Sequence, residues 1–315
     1  SRWWIIWSGG PVPRPPAPPM AVPGATELPT SSPRAAAEGP GGRGLLGHRP
    51  ASRLVLEGGT GPDPVARRIR LLSFNIQAGI RTERYREYLT RGWRQFLHDP
   101  ERPGNLDRIG TLLRDYDIVA LQEVDAGSVR SGWTNQVAWL AERAGLPFWY
   151  AQRNRRLGRF AQHGNGLIAR SEPMELVDHP LPSAIPGRGA ILASFPCADG
   201  PPLLVVSAHL SLGPRTRTRQ LEWIAERIRG RSRVVLMGDL NMSGRQLVEQ
   251  SPLADSGLLP ALDAASLTYP SWRPRLDLDH VLLTPDLEVE GARALDCDFS
   301  DHLPVAVDIR LHSES

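Results

Sequence analysis

One stretch constrains this chain more than any other: Arg233-Val234-Val235-Leu236-Met237-Gly238-Asp239-Leu240-Asn241. Four apolar residues, two of them β-branched valines, run straight into Gly-Asp-x-Asn. An apolar run of this length without alternation reads as a strand buried on both faces, which needs material packed above and below it. It ends in a tight turn presenting a carboxylate and an amide, Asp239 and Asn241, with Leu240 directed the other way. Ends of buried strands are where ligands sit in open α/β sheets. Gly, Asp and Asn are also ordinary turn residues, so the stretch gains meaning only from what accompanies it.

The same design recurs along the chain. Residues 70–76 form an apolar run with Asn75 near its end, residues 117–124 lead to Glu123, and residues 163–169 carry Asn165. Residues 203–210 lead to His209, residues 276–283 contain Asp279, and residues 300–309 open with Asp301 and His302. Residues 190–195 read as a further strand. Between these runs, amphipathic helices are expected to start at Asn105, to span Thr134 to Gly145, and to bury Leu221, Ile224, Ala225 and Ile228. Strands mixed with a few helices, without strict βαβ alternation, predict mixed or antiparallel sheets. Two packed mixed β-sheets flanked by helices, a four-layered α/β (α+β) sandwich, would bury such strands on both faces.

Residues 1–66 are of a different kind. Thirteen of the 30 prolines lie there, with glycine runs and no sustained amphipathic period. Such a segment buries too little apolar surface to offset its ordering entropy, and a disordered tail is expected. Met20 is a candidate start within it. The Trp3-Trp4-Ile5-Ile6-Trp7 cluster is too short for a signal-peptide core or a membrane span, and no other segment approaches a span. The expectation is a folded domain over residues 67–311, no integral membrane segment and a cytoplasmic location.

Composition narrows the chemistry further. A net charge of +3 does not by itself imply nucleic acid. All 37 basic residues are arginine, but the abundance of Ala, Gly and Pro makes this a compositional bias rather than a substrate signal. The two cysteines, Cys197 and Cys297, give neither a disulfide framework nor zinc spacing. What remains at the strand ends is a set of carboxylates, amides and two histidines. Without a thiolate, that set suits a hard, oxygen-seeking cation such as Mg²⁺ or Mn²⁺. It also suits hydrolysis of a phosphate ester, in which a carboxylate activates water and a histidine faces the developing charge.

Six short motifs carry a family resemblance. Ser73-Phe74-Asn75-Ile76, Leu121-Gln122-Glu123, His209-Leu210, Gly238-Asp239-Leu240-Asn241, Leu278-Asp279-His280 and Ser300-Asp301-His302-Leu303-Pro304 stand in the order used by the endonuclease/exonuclease/phosphatase superfamily. Each motif is weak alone; six in order resemble that family over residues 69–311. The resemblance implies a DNase I-like fold and a Mg²⁺- or Mn²⁺-dependent phosphoesterase. It implies Glu123 as principal metal ligand, supported by Asn75 and Asp301. It assigns Asp239 to the attacking water, and Asn241 to orienting the phosphate or that water. Asp279 would hold His302 against the transition state, and His209 would contact a non-bridging oxygen or assist the leaving group. Asn165 corresponds to a substrate-contacting amide.

Within that family the substrates include DNA, RNA, phosphoinositides, sphingomyelin and nucleotide-like esters, so the fold leaves the ester open. Arg153, Arg155, Arg156 and Arg159 form a basic segment, expected as a loop, that could meet nucleic acid or another anionic group. A phosphodiester is the expected substrate, nuclease-like, with a lipid or small-molecule ester as the alternative. A non-catalytic binding protein on the same fold is the third reading, and the intact set of acids and histidines argues against it.

Overall fold

Residues 52–55, 62–77, 102–127, 135–157, 161–183 and 187–312 are described by a computed structural model of the chain. Two sheets hold them together. The first contains Ser52–Val55 (β1), Glu175–Pro180 (β6), Gly189–Phe195 (β7), Leu203–His209 (β8), Val234–Asp239 (β9), Leu259–Pro260 (β10) and Asp279–Leu283 (β11), in the order β1-β6-β7-β8-β9-β11-β10. The second contains Arg68–Asn75 (β2), Ile118–Asp125 (β3), Phe148–Leu157 (β4), Ala161–Ala169 (β5), Leu287–Ala294 (β12) and Val305–Leu311 (β13), ordered β12-β13-β2-β3-β5-β4. Each sheet has one parallel pair at its centre, β8 with β9 and β2 with β3, and the other pairs are antiparallel. Both sheets are therefore mixed, as expected.

Strand periodicity builds the layers. In β9, Val235 and Met237 enter the core between the sheets, while Val234 and Leu236 face the outer helices. Ile69 and Leu71 of β2 meet that same inner core, whereas Leu72 and Phe74 point outward. Helices Arg102–Leu113 (α1) and Gln136–Ala144 (α2) cover the second sheet through Ile109, Leu113, Val137 and Leu140. Helices Pro214–Ile228 (α3) and Gly244–Gln250 (α4) cover the first through Leu221, Ile224, Ile228 and Leu247. The result is the four-layered sandwich, with each central strand buried on both faces because a sheet lies on one side and a helix on the other.

Several expected boundaries move. Most of the tail expected over residues 1–66 lies outside the described residues, but β1 belongs to the first sheet. It pairs with β6 from Ser52 opposite Asp178 to Val55 opposite Glu175. An edge strand exposes unpaired backbone groups, and β1 satisfies those of β6. Val65 also bridges to Cys197, so sheet contacts begin before residue 67. Helix α1 starts at Arg102 rather than being capped by Asn105. Pro103 fits the first helical turn, where its missing N–H leaves no bond unmade. Asn105 instead donates from Nδ2 to the Phe299 carbonyl at 2.8 Å. The cap of α2 is Asn135, whose Oδ1 accepts from Val137 and Ala138, and Gly145 closes that helix in the left-handed conformation. Finally, the basic segment expected as a loop is strand through Leu157, with a bulge between Arg153 and Arg155. Arg155 pairs with His163 through the backbone.

Candidate active site

The site arises by continuing the inner-face alternation past the apolar core. Counting by twos from Val235 and Met237 reaches Asp239, from Leu203 and Val205 reaches His209, and from Val281 steps back to Asp279. In the opposing sheet, Ile69 and Leu71 lead to Asn75. Register aligns the first three, because His209 is opposite Asp239 in one ladder and Asp279 is opposite Asp239 in the next. Polar side chains thus converge where the inter-sheet core ends.

Asp239 is the hub. Its Oδ2 accepts from Asn75 Nδ2 at 3.1 Å and lies 3.3 Å from His209 Nε2 and 3.8 Å from His302 Nε2. Its Oδ1 accepts from the Asn241 backbone at 3.1 Å. Burial alone would push this carboxyl up, but His302, His209 and Asn75 outweigh it and hold it well below the usual carboxylate range. Asp239 is ionised at neutral pH.

Backbone conformation sets the turn beyond it. Gly238 has φ 150°, and a Cβ there would sit 1.8 Å from the Ala208 carbonyl oxygen, so only glycine fits between β8 and β9. Asn241 is left-handed at φ 52°, a conformation that asparagine tolerates. Its side chain donates from Nδ2 to the Leu210 carbonyl at 2.9 Å, which ties the turn to the end of β8.

His302 is clamped from several sides. Its Nδ1 lies 2.8 Å from Asp279 Oδ2, and the same oxygen accepts from Thr268 Oγ1 at 2.7 Å. The Tyr269 ring packs on the imidazole with centroids 4.7 Å apart. Burial opposes its charge, yet Asp279, Asp239 and Asp301 hold its pKa well above the ordinary value, so it is an imidazolium at neutral pH.

Next to this pair stands a group of oxygen donors. Ser300 Oγ donates to the Asn75 carbonyl at 2.7 Å and lies 3.3 Å from Asp301 Oδ1, joining those two residues. Burial raises the Asp301 carboxyl to about 6; His302 pulls it back, while the negative charge of Glu123 adds to the rise. Glu123 sits in the bulge of β3 against β5, with a left-handed φ of 56°, which turns its carboxylate out of the strand alternation. Two acids that repel each other beside an amide oxygen, with no soft ligand, make a donor set that fits a hard divalent cation. A second grouping, Asp239, Asp279 and His302, brings ligand atoms within 4.8 Å of one another. There, however, Asp279 and His302 are already bonded to each other.

The other expected residues are placed as follows. Asn165 is buried between the sheets, its Nδ2 donating to Gln152 Oε1 at 2.9 Å and to the Gly189 carbonyl at 2.8 Å. Gln152 passes the network on to Asp178 Oδ1 at 2.6 Å, so Asn165 helps fix strands β4 to β7 beside the site. The Arg155 side chain lies outside the described residues. His280 bonds through Nε2 to the carbonyls of Met242 and Asp277, a packing role. The cysteines are unpaired, and burial pushes the Cys297 thiol up to about 11, which leaves it unreactive. Thr268 and Arg188, which contact Asp279 and His209, were not legible as site residues. A threonine in a polar connection and a single arginine before a strand carry no local signal.

The sequence profile of the Endonuclease/Exonuclease/phosphatase family matches residues 72–302. No curated protein matches the chain. Among solved structures, an endonuclease/exonuclease/phosphatase from Beutenbergia cavernae is 21% identical, with a TM-score of 0.60 over 78% of this chain and 72% of that one. A mannosyl-6-phosphatase from Bacteroides thetaiotaomicron is 17% identical, with a TM-score of 0.58 over 76% of this chain and 99% of its own. Sphingomyelinase C from Streptomyces griseocarneus is 18% identical, with a TM-score of 0.51 over 76% and 99%. At such identities the likeness concerns the fold. Among the described residues, no helix is long and apolar enough to cross a membrane.

Proposed function

Because the chain belongs to the endonuclease/exonuclease/phosphatase family, a family of hydrolases acting on phosphate esters, we propose that it hydrolyses a phosphodiester through a water activated at Asp239. The observation that carries this reading is the buried Asp239 carboxylate, held by Asn75 and His209 with the His302 ring 3.8 Å away. An ionised base next to a fixed positive charge is what attack on phosphorus requires. Asp239 takes the proton of the attacking water, and Asn241 orients that water or the phosphate. His302, fixed by Asp279, faces the charge that builds on the phosphoryl oxygens. His209 contacts a non-bridging oxygen.

Glu123, with Asn75 and Asp301, would hold Mg²⁺ or Mn²⁺, which when bound neutralises phosphoryl oxygens. Removing one carboxylate from that set weakens the cation directly. Glu123→Gln is therefore expected to weaken Mn²⁺ binding, measured by calorimetry, by more than about tenfold. Unchanged binding would remove Glu123 from the ligand set.

Substrate class is tested with two chromogenic esters. Bis-p-nitrophenyl phosphate and p-nitrophenyl phosphate are compared in Mg²⁺, Mn²⁺ and EDTA. Faster, metal-dependent release from the diester is the expected result, after which nucleic-acid and lipid diesters separate the nuclease-like reading from its alternative. Preference for the monoester would replace the diesterase with a phosphatase. Silence on both, without metal binding, would favour a binding protein on this fold.

A further inference from the structure

Arg188 precedes β7 and reaches the end of β8. The two strands pair antiparallel with Ala190 opposite Ala208, so the chain entering β7 passes His209. There a guanidinium nitrogen of Arg188 lies 2.7 Å from His209 Nδ1, while Nε2 of the same ring lies 3.3 Å from Asp239 Oδ2. These two contacts fix the protons. A guanidinium is charged at all relevant pH values and has donors only, so Nδ1 must offer its lone pair. A hydrogen on Nδ1 would set donor against donor and place a cationic ring against a cation. The Asp239 carboxylate has acceptors only, so Nε2 must carry the hydrogen.

We propose that Arg188 is a positioning residue that locks His209 in the neutral Nε2–H tautomer. His209 then acts only as a hydrogen-bond donor in the site. It steadies Asp239 and can turn the same N–H to a phosphoryl oxygen, but it takes no proton from water. A carboxylate behind a histidine enforces Nδ1–H and leaves the far nitrogen basic. A guanidinium behind it enforces the opposite. The catalytic consequence rests on the phosphoesterase reading; the tautomer does not.

The test is nitrogen-15 NMR of the full chain labelled at histidine, with His209 assigned from the spectrum of His209→Gln. At neutral pH the expected pattern is an unprotonated Nδ1 and a protonated Nε2. In Arg188→Met the Nε2 hydrogen should stay, because Asp239 still faces it, while Nδ1 should be at least partly protonated at neutral pH; Arg188→Lys, which keeps a cationic donor, should restore the unprotonated Nδ1. Diester hydrolysis should fall about 10- to 100-fold in Arg188→Met, as for other groups that orient a functional histidine, and recover in part with lysine. A protonated Nδ1 in the unsubstituted protein would overturn the proposal, and that measurement needs no variant to fold. A folded Arg188→Met protein whose Nδ1 stays as fully unprotonated as in the unsubstituted chain would overturn it too. The expected tautomer in a chain inactive on every ester would uphold the role of Arg188 and sink the phosphoesterase reading alone.

Discussion

Asp239→Asn is expected to lower the rate of ester hydrolysis by about 10²- to 10⁴-fold, the span that a positioned general base contributes. The substitution keeps the shape of the side chain and removes its capacity to take a proton. The fold should survive. Asparagine can still accept from the Asn241 backbone through one oxygen, and His302 keeps its 2.8 Å contact with Asp279. The loss falls at Oδ2, which meets Asn75 Nδ2 and His209 Nε2; an amide NH₂ there would face donors. Leaving a buried donor unsatisfied costs about 1–3 kcal/mol, partly offset because no charge has to be buried. Kinetics alongside thermal unfolding followed by circular dichroism separate the two effects. Activity retained in full would show that some other group handles the water.

Gly238→Ala is the change with the largest expected cost in stability. At φ 150° an L side chain is strained, by about 1–3 kcal/mol. The added Cβ would also lie 1.8 Å from the Ala208 carbonyl oxygen, which belongs to the backbone of the neighbouring strand and cannot swing away. Overpacking of this kind costs a further ~1–3 kcal/mol. Together these approach the whole stability of a marginal domain, roughly 5–15 kcal/mol. The urea midpoint should fall steeply, or soluble protein should be lost. Activity should fall as well, because separating β8 from β9 separates His209 from Asp239. An unfolding midpoint near that of the unsubstituted chain would mean that the two strands part more freely than their close approach implies.

Much of this was legible in the sequence because strand periodicity is local. The apolar runs leading to Asn75, His209 and Asp239 already fix which face of each strand those side chains occupy, since alternation by two needs no partner to be counted. Burial on both faces likewise follows from runs such as Leu203-Leu204-Val205-Val206. From that came the two sheets with helices outside. The motif order added the roles that the resemblance implies; of those residues, Asn75, His209, Asp239, Asp279 and His302 meet at one rim.

Other features had no local signature. Glu123 is the exception to the alternation: it lies in a bulge where β3 pairs irregularly with β5, and its φ is left-handed. The strand Ser52–Val55 sits among proline- and glycine-rich sequence, and its pairing depends on the open edge of β6. Which strand ends face one another was decided in three dimensions. Asn75 meets Asp239 across 164 residues, and Arg188 meets His209 across 21. The sequence by itself determined the faces and the carboxylates they carry, because those follow from residue chemistry and spacing. Only the tertiary structure decided the ionised state of Asp239, the charge on His302 and the tautomer of His209, because a protonation state belongs to the groups that surround a side chain, and folding brings those groups together from distant strands.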